Sequence, residues 1–331
     1  MFCPLPDDSE RSMRERAHLA VPIATVGAAE ALAMAAESAA GGATLVEYRL
    51  DLMADFDLPR LLASSPLPAI VTCRPPNQGG CFRGATTERL AILRRAIDLE
   101  AAFVDVEADI LPQVRDHPRL RTQLIGSHHD FGARLHDWKG LGHQLAAAGA
   151  DVIKLAGMAD SSDDALPPLK WLAGLMQPGI GIVMGSHGLA SRLLAPRFGA
   201  SLLSFAALGD GTAPGQIGLA EMVGAFGYHR LAGADPLLVL LTPPAIPWEV
   251  VREIRQALED AARGPAPWLL PIPTASLGPS LLAACQLARS DGILCLAGVE
   301  RDPRLGQRNQ WGRIPPAVLA VARPWLARSE T

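Results

Sequence analysis

Short runs of apolar and β-branched residues recur along the chain, separated by stretches whose apolar positions fall at helical spacing. The runs cover 18–26, 44–51, 69–74, 103–109, 123–130, 152–157, 179–186 and 201–207, which predicts eight strands before about residue 230, one every ~25–30 residues. The stretches 28–39 (alanine-rich), 86–101, 135–148, 165–176 and 188–197 predict helices, with Thr87 as the N-cap of the second. Strands alternating with helices of this length imply a parallel sheet with right-handed crossovers. Eight such units in about 230 residues fit a (β/α)8 barrel, that is, a TIM barrel. The rival is a doubly wound open sheet. Against it, the turn after the first run, Val26-Gly27-Ala28-Ala29, holds one glycine and no GxGxxG fingerprint.

Near 231–236 the texture changes. Beyond it lie Thr242-Pro243-Pro244, Gly264-Pro265-Ala266-Pro267 and Pro271-Ile272-Pro273. Strands are predicted at 237–241, 268–271 and 292–296, and helices at 249–262 and 278–288. The expected organisation is a flexible, charged lead-in (1–17), a barrel (18–230) and a small α/β C-terminal domain (235–331). The lead-in mixes Asp7, Asp8, Glu10 and Glu15 with Arg11, Arg14 and Arg16, unlike the basic start and apolar stretch of a signal peptide.

Composition narrows the function classes. Of 331 residues, 49% are hydrophobic and 19% charged, enough for a sizeable core and unlike a disordered chain. A net charge of -4 offers no basic surface for nucleic acid or an anionic membrane. Aromatics at 5% make a base-stacking platform unexpected. No uninterrupted apolar run reaches the length of about 18 residues expected of a transmembrane helix. The five cysteines (Cys3, Cys73, Cys81, Cys285, Cys295) form no CxxC pair and no Cys/His ligand spacing. That usage predicts buried thiols, a cytoplasmic location and no metal.

In a barrel the chemistry sits at the C-terminal strand ends. The second run ends Val46-Glu47-Tyr48-Arg49-Leu50-Asp51, where period-two alternation puts Glu47, Arg49 and Asp51 on one face. Buried charges must pair with each other or with a ligand. An ion-pair network at the barrel mouth is therefore an alternative to a binding site. The third run ends at Arg74, followed by Pro75-Pro76-Asn77-Gln78-Gly79-Gly80. An arginine fork there suits a carboxylate or hydroxyl, or simply a surface position. The fifth ends Ser127-His128-His129-Asp130-Phe131, with one histidine facing the mouth for acid–base work and one facing away.

The sixth run sets Lys154 among Val152, Ile153, Leu155 and Ala156. Burial favours the neutral form of an amine, which attacks carbonyls to form Schiff bases. A lysine that snorkels out or pairs with a carboxylate is the alternative. After the seventh run come Ser191-Arg192, and after the eighth Gly209-Asp210-Gly211-Thr212-Ala213-Pro214-Gly215-Gln216. That loop is either a phosphate cradle or a tight turn. Together these residues suit a small, anionic, polyhydroxylated carbonyl compound and a class I Schiff-base lyase or aldolase.

The same residues resemble the type I 3-dehydroquinate dehydratases of the shikimate pathway, from about residue 21 to 227. The resemblance lies in Glu47-Tyr48-Arg49-Leu50-Asp51, Arg74 with Gln78-Gly79-Gly80, Ser127 to Phe131, Ile153-Lys154-Leu155-Ala156, Ser191-Arg192-Leu193 and Ala213-Pro214-Gly215-Gln216. It implies a (β/α)8 barrel, a homodimer, no metal and no cofactor. It implies dehydration of 3-dehydroquinate to 3-dehydroshikimate, with Lys154 forming the imine and His129 as general acid and base. Arg192 would hold the substrate carboxylate, and Glu47, Arg49, Arg74, Thr212 and Gln216 would bind the ring. Gln78 stands where many members carry glutamate, so it is expected to tune His129 as an auxiliary. Thr212 stands where serine is frequent. The alternatives are another Schiff-base aldolase or lyase, marked by a phosphate site, and a non-catalytic regulatory homologue.

Residues beyond 235 resemble, more weakly, a degenerate and truncated shikimate dehydrogenase substrate-binding domain. The serines of that family's motif are missing from 243–248. Glu300 and Arg301 stand where its lysine is expected, and no nucleotide-binding fingerprint follows. No dehydrogenase activity is expected.

Overall fold

Eight strands run parallel around a closed circle: β1 (His18–Ile23), β2 (Leu45–Arg49), β3 (Ala69–Thr72), β4 (Phe103–Glu107), β5 (Gln123–His129), β6 (Val152–Met158), β7 (Gly179–Met184) and β8 (Leu203–Ala207). This computed structural model describes residues 18–231 except 199 and 210, together with 237–242, 248–261, 268–273 and 292–295. Neighbours in sequence pair in parallel register, and β1 returns to β8 through Leu19↔Ser204 and Ala20↔Phe205. The circle closes at a bridge between Gly179 of β7 and Ser201, just ahead of β8. A two-residue strand, β9 (Ile217–Gly218), adds to the end of β8. The predicted barrel is therefore present.

Alternation along the strands divides the core in two. Ala20, Leu45, Ile70, Phe103, Ile125, Val152, Ile180 and Leu203 fill the barrel interior. Leu19, Val21, Val46, Val71, Val104, Leu124, Leu155 and Val183 face outward into the helix layer. That layer comprises α1 (Ala28–Ala40), α2 (Leu58–Ser64), α3 (Thr86–Asp98), α4 (Leu111–Arg115), α5 (Trp138–Ala148), α6 (Leu166–Ala173), α7 (Leu189–Leu194) and α8 (Tyr228–Leu231).

The helix layer corrects three expectations. α2 and α4, of 7 and 5 residues, are too short to display a helical apolar period and escaped the pattern. Thr87 is not the N-cap of α3. The helix begins at Thr86 after Ala85, whose N–H is taken by the Glu88 carboxylate at 2.9 Å. The predicted 188–197 helix breaks after Leu194 into a tight turn at Ala195–Arg197, because Pro196 has no N–H to continue the ladder.

Beyond the barrel, β10 (Leu237–Thr242) lies between β11 (Trp268–Pro273) and β12 (Gly292–Cys295) in a parallel three-stranded sheet. The lead-in 1–17 and the helix expected at 278–288 lie outside the described residues. α9 (Trp248–Ala261) buries Val251, Ile254 and Leu258 at helical spacing. Beside them the buried Arg255 reaches the barrel. Its guanidinium donates to the carbonyls of Gly224, at 3.4 Å, and Ala225, in the widened helical turn Glu221–Ala225. Among the described residues no helix is long and apolar enough to cross a membrane.

Arg255 joins the two parts of the chain by charge-assisted bonds to carbonyls. Arg255→Ala should therefore lower stability by about 1–3 kcal/mol, seen as a lower Tm by differential scanning calorimetry.

Candidate active site

Alternation in β2, β4, β5 and β6 aims charged side chains into the barrel mouth. Lys154 of β6 is only 4% exposed. Its Nζ donates to Oδ2 of Asp105 on β4 at 2.7 Å, lies 3.6 Å from Oε1 of Glu47 on β2, and sits 4.5 Å from the ring centre of Phe205. Asp105 is fully buried. Its Oδ1 accepts the Ser127 hydroxyl at 2.6 Å and lies 2.8 Å from Nη2 of Arg74. Glu47 Oε1 accepts the Thr72 hydroxyl at 2.7 Å. The ion-pair network weighed as an alternative therefore exists within the cavity wall, and Lys154 is paired rather than snorkelled.

Arg49 and Asp51 pair through two bonds of 2.9 and 2.8 Å. Asp51 belongs to the tight turn Leu50–Leu52 rather than to the strand. Its carboxylate also accepts the Cys81 N–H at 3.0 Å, pinning the loop after β3. Burial pulls the Arg49 guanidinium down, but Asp51 and Glu47 outweigh it and hold it above its ordinary value.

Arg74 spreads its three nitrogens over three partners. Nη2 faces Asp105, Nε lies 3.4 Å from Oε1 of Glu107, and Nη1 donates to the His129 ring, 3.0 Å from Nδ1 and closest to Nε2. A guanidinium only donates, so the imidazole nitrogen facing it carries a lone pair. Burial, then Arg74 and Lys154, hold His129 well below the usual histidine range. Asp105 responds oppositely. Burial opposes its charge, but Arg74, Lys154 and His129 keep its carboxyl below the usual range. Glu107 is pushed up to about 7 by burial, with Arg74 and Arg89 pulling against it and Asp105 with it.

Arg192, on α7, differs from the other mouth cations. Arg49, Arg74 and Lys154 each face a carboxylate. Arg192 is buried, and among the described residues no carboxylate pairs with it and its Nε has no hydrogen-bond partner. Burial pushes it down to about 10. A buried guanidinium in that state is a ready site for an anion.

Two loops cover the mouth. Gly79 has φ 76°, and a Cβ there would fall 2.0 Å from the Phe131 ring. Phe131 in turn stacks on His129 with ring centres 6.3 Å apart. A Cβ on Gly80 would fall 2.1 Å from the Arg74 carbonyl oxygen. The other loop follows β8. There Gln216 Oε1 accepts the N–H groups of Thr212 at 2.7 Å and Ala213 at 3.3 Å. Amides that a phosphate would need are thus already occupied, and the loop is a closed turn.

A cavity lies between these loops, lined by Lys154, His129, Glu47, Arg49, Arg74, Arg192, Thr212 and Gln216. Of the site residues that the family resemblance implies, only Gln78 is missing from this lining. Its Oε1 accepts the main-chain N–H of His129 at 2.8 Å and makes no bond to the ring, contrary to the expected tuning of the imidazole. The amide thus fixes the end of β5. Cys81 is exposed, against the expectation of a buried thiol, whereas Cys73 is buried. Asp105, Glu107 and the covering role of Phe131 went unrecognised. The signal for the first two was available: Phe103-Val104-Asp105-Val106-Glu107 has the same alternation as the end of β2.

Comparison with known proteins agrees with this geometry. The Type I 3-dehydroquinase family matches residues 19–231. A 3-dehydroquinate dehydratase of Methanothrix thermoacetophila is 36% identical over 205 residues, covering 60% of this chain and 88% of its own. The chloroplastic bifunctional 3-dehydroquinate dehydratase/shikimate dehydrogenase of Arabidopsis thaliana is 33% identical over 202 residues, 57% of this chain. The match spans only 33% of the plant protein's length. Among solved structures, the dehydroquinate dehydratase and shikimate dehydrogenase from S. pombe superposes with a TM-score of 0.55 at 22% identity, covering 88% of this chain and 58% of that one.

Asp105→Asn should cost about 3–5 kcal/mol at pH 7, because it strips Lys154 and Arg74 of their closest counter-charge. The folded carboxyl is held below its unfolded value, so its contribution is present above pH ~4 and is lost as pH falls through the folded value. Urea unfolding of both proteins should therefore show the gap narrowing below pH ~4.

Proposed function

The chain belongs to the type I 3-dehydroquinase family, and we propose that it dehydrates 3-dehydroquinate to 3-dehydroshikimate and water through an imine on Lys154, the third step of the shikimate pathway. The observation that carries this reading is one cavity holding a buried amine, a buried imidazole and a buried guanidinium that no carboxylate faces among the described residues. An amine and a base alone would serve any Schiff-base lyase. Arg192 adds the demand for a carboxylate on the substrate. The occupied amides of Thr212 and Ala213 argue against the phosphate of a sugar-phosphate aldolase.

The chemistry divides among the residues as follows. Arg192 grips the substrate carboxylate bidentately. The Lys154 amine attacks the C3 ketone, and water leaves as the C=N bond forms. Asp105, held ionised 2.7 Å from Nζ, stabilises the positive charge that the imine nitrogen carries. The cationic imine draws electrons from the C2–H bond, and His129 removes that proton. Entry of the ring displaces Arg74 from the imidazole and turns its fork toward a ring hydroxyl. The enamine then expels the C1 hydroxyl, which leaves as water with the proton from His129. Hydrolysis frees the lysine. Glu47, Arg49, Thr212 and Gln216 hold the ring hydroxyls and set its orientation. The base works best when it enters the step unprotonated, and burial beside two cations favours that state.

Borohydride added with 3-dehydroquinate should reduce the imine and add one substrate-derived mass to the peptide containing Lys154. Label on Lys139 or Lys170 instead would overturn the assignment. Lys154→Ala should lose nearly all turnover while still binding ligand.

The catalytic unit is assigned to residues 18–230 and the remainder, 235–331, to a small α/β domain. Every residue named above lies between Glu47 and Gln216. A chain ending near residue 233 should keep turnover within several-fold if it stays soluble. Sedimentation of the full chain checks the homodimer that the family resemblance implies.

A further inference from the structure

Glu107 stands one layer behind the cavity. It is buried, absent from the cavity wall, and unused by the steps above. One oxygen lies 3.4 Å from Nε of Arg74 and the other 3.8 Å from Nη2 of Arg89, which is itself held by Asp109 at 2.7 and 2.9 Å. A guanidinium is planar, so whatever fixes Nε fixes the direction of Nη1 as well. Nη1 is the nitrogen in contact with His129. We propose that Glu107 is a positioning residue for the acid–base step: it holds Arg74 from behind so that Nη1 meets the imidazole in the free enzyme and keeps that ring neutral until substrate enters.

The groups around both ends favour this assignment. His129 is faced by Arg74 from the loop after β3, Lys154 from β6, Asp105 from β4 and Arg49 from β2. Glu107 does not touch the ring, so its own charge acts there at second hand. Arg74, in contact, is the stronger influence, and releasing it lets the ring take a proton more readily. Glu107 is faced by Arg74, Arg89 and Asp105. Gln78, further along the covering loop, is neutral and bonded to the His129 main chain rather than to its ring. Control of the ring from that side therefore passes through Arg74 and its anchor.

The inference rests on the dehydratase reading, and the experiment separates the two. Steady-state kinetics with 3-dehydroquinate across pH would be measured for the wild type, Glu107→Ala, Glu107→Asp and Glu107→Gln, alongside Tm. Glu107→Ala should lower kcat/KM about tenfold and move the acid limb of kcat/KM, which reports the free enzyme, to higher pH. Glu107→Asp, one methylene short of Nε, should move the same way by less. Glu107→Gln removes the charge on which this ion pair rests, since no hydrogen bond joins Glu107 to Arg74, and should move the same way as Glu107→Ala. If Glu107→Ala fails to fold, Glu107→Asp carries the test. A folded Ala or Asp variant with the wild-type kcat/KM and the wild-type acid limb of its pH profile overturns the proposal. If the wild type does not turn over 3-dehydroquinate, the dehydratase reading falls instead. The ¹⁵N shifts of the His129 ring then decide the positioning role: loss of the accepted hydrogen bond in Glu107→Asp supports it, and unchanged shifts overturn it.

Discussion

Asp105 is a carboxylate without water, and it keeps its charge only because Lys154 and Arg74 stand against it. The reverse holds equally: neither cation could be buried so deeply without it. Three strands are tied by this arrangement. β4 supplies the anion, β6 the amine and the end of β3 the guanidinium. The Ser127 hydroxyl brings in β5. The charge network thus does at the barrel mouth what apolar layers do lower down. It also sets a fixed negative charge against the nitrogen that becomes a cationic imine.

The same electrostatics sorts the mouth into two functional halves. Around Lys154 and His129 every cation has a counter-ion, and the positive groups are arranged so that the imidazole stays uncharged. At Arg192 the balance is deliberately incomplete among the described residues, since no carboxylate faces it. A substrate that brings its own carboxylate completes the balance. One that brings none leaves a buried charge uncompensated, which is a selection rule enforced by desolvation.

Much of this was legible in the linear pattern. Strand–helix alternation showed the barrel because each βα unit must bury one apolar strand and one amphipathic helix. Lys154 and His129 were legible because a charge in an apolar strand, or at its tip, is costly without a purpose, whereas Arg192, on a helix, was marked by the family resemblance. Four features were not. α2 and α4 are too short for periodicity to register. The contact of Gln78 depends on whether a loop amide turns to a ring or to main chain, which spacing does not encode. Asp105 and Glu107 followed the same period-two rule as Glu47 and Arg49, but acidic residues in Val-Asp-Val-Glu draw less notice than a lysine. The β8 loop read equally as a phosphate cradle or a turn until Gln216 was seen to occupy its amides.

Closure of the barrel at the single bridge Gly179↔Ser201 has a mechanical side. Elsewhere the strands are zipped by ladders of three to six paired residues, whereas here one pair spans the seam. The cavity straddles that seam, with Lys154 and Arg192 on one bank and Phe205, Thr212 and Gln216 on the other. A ligand gripping both banks acts as a staple across the weakest joint of the cylinder. Whatever binds the closed cylinder and not the unfolded chain stabilises it, so the ligand's affinity adds to the hold of that joint.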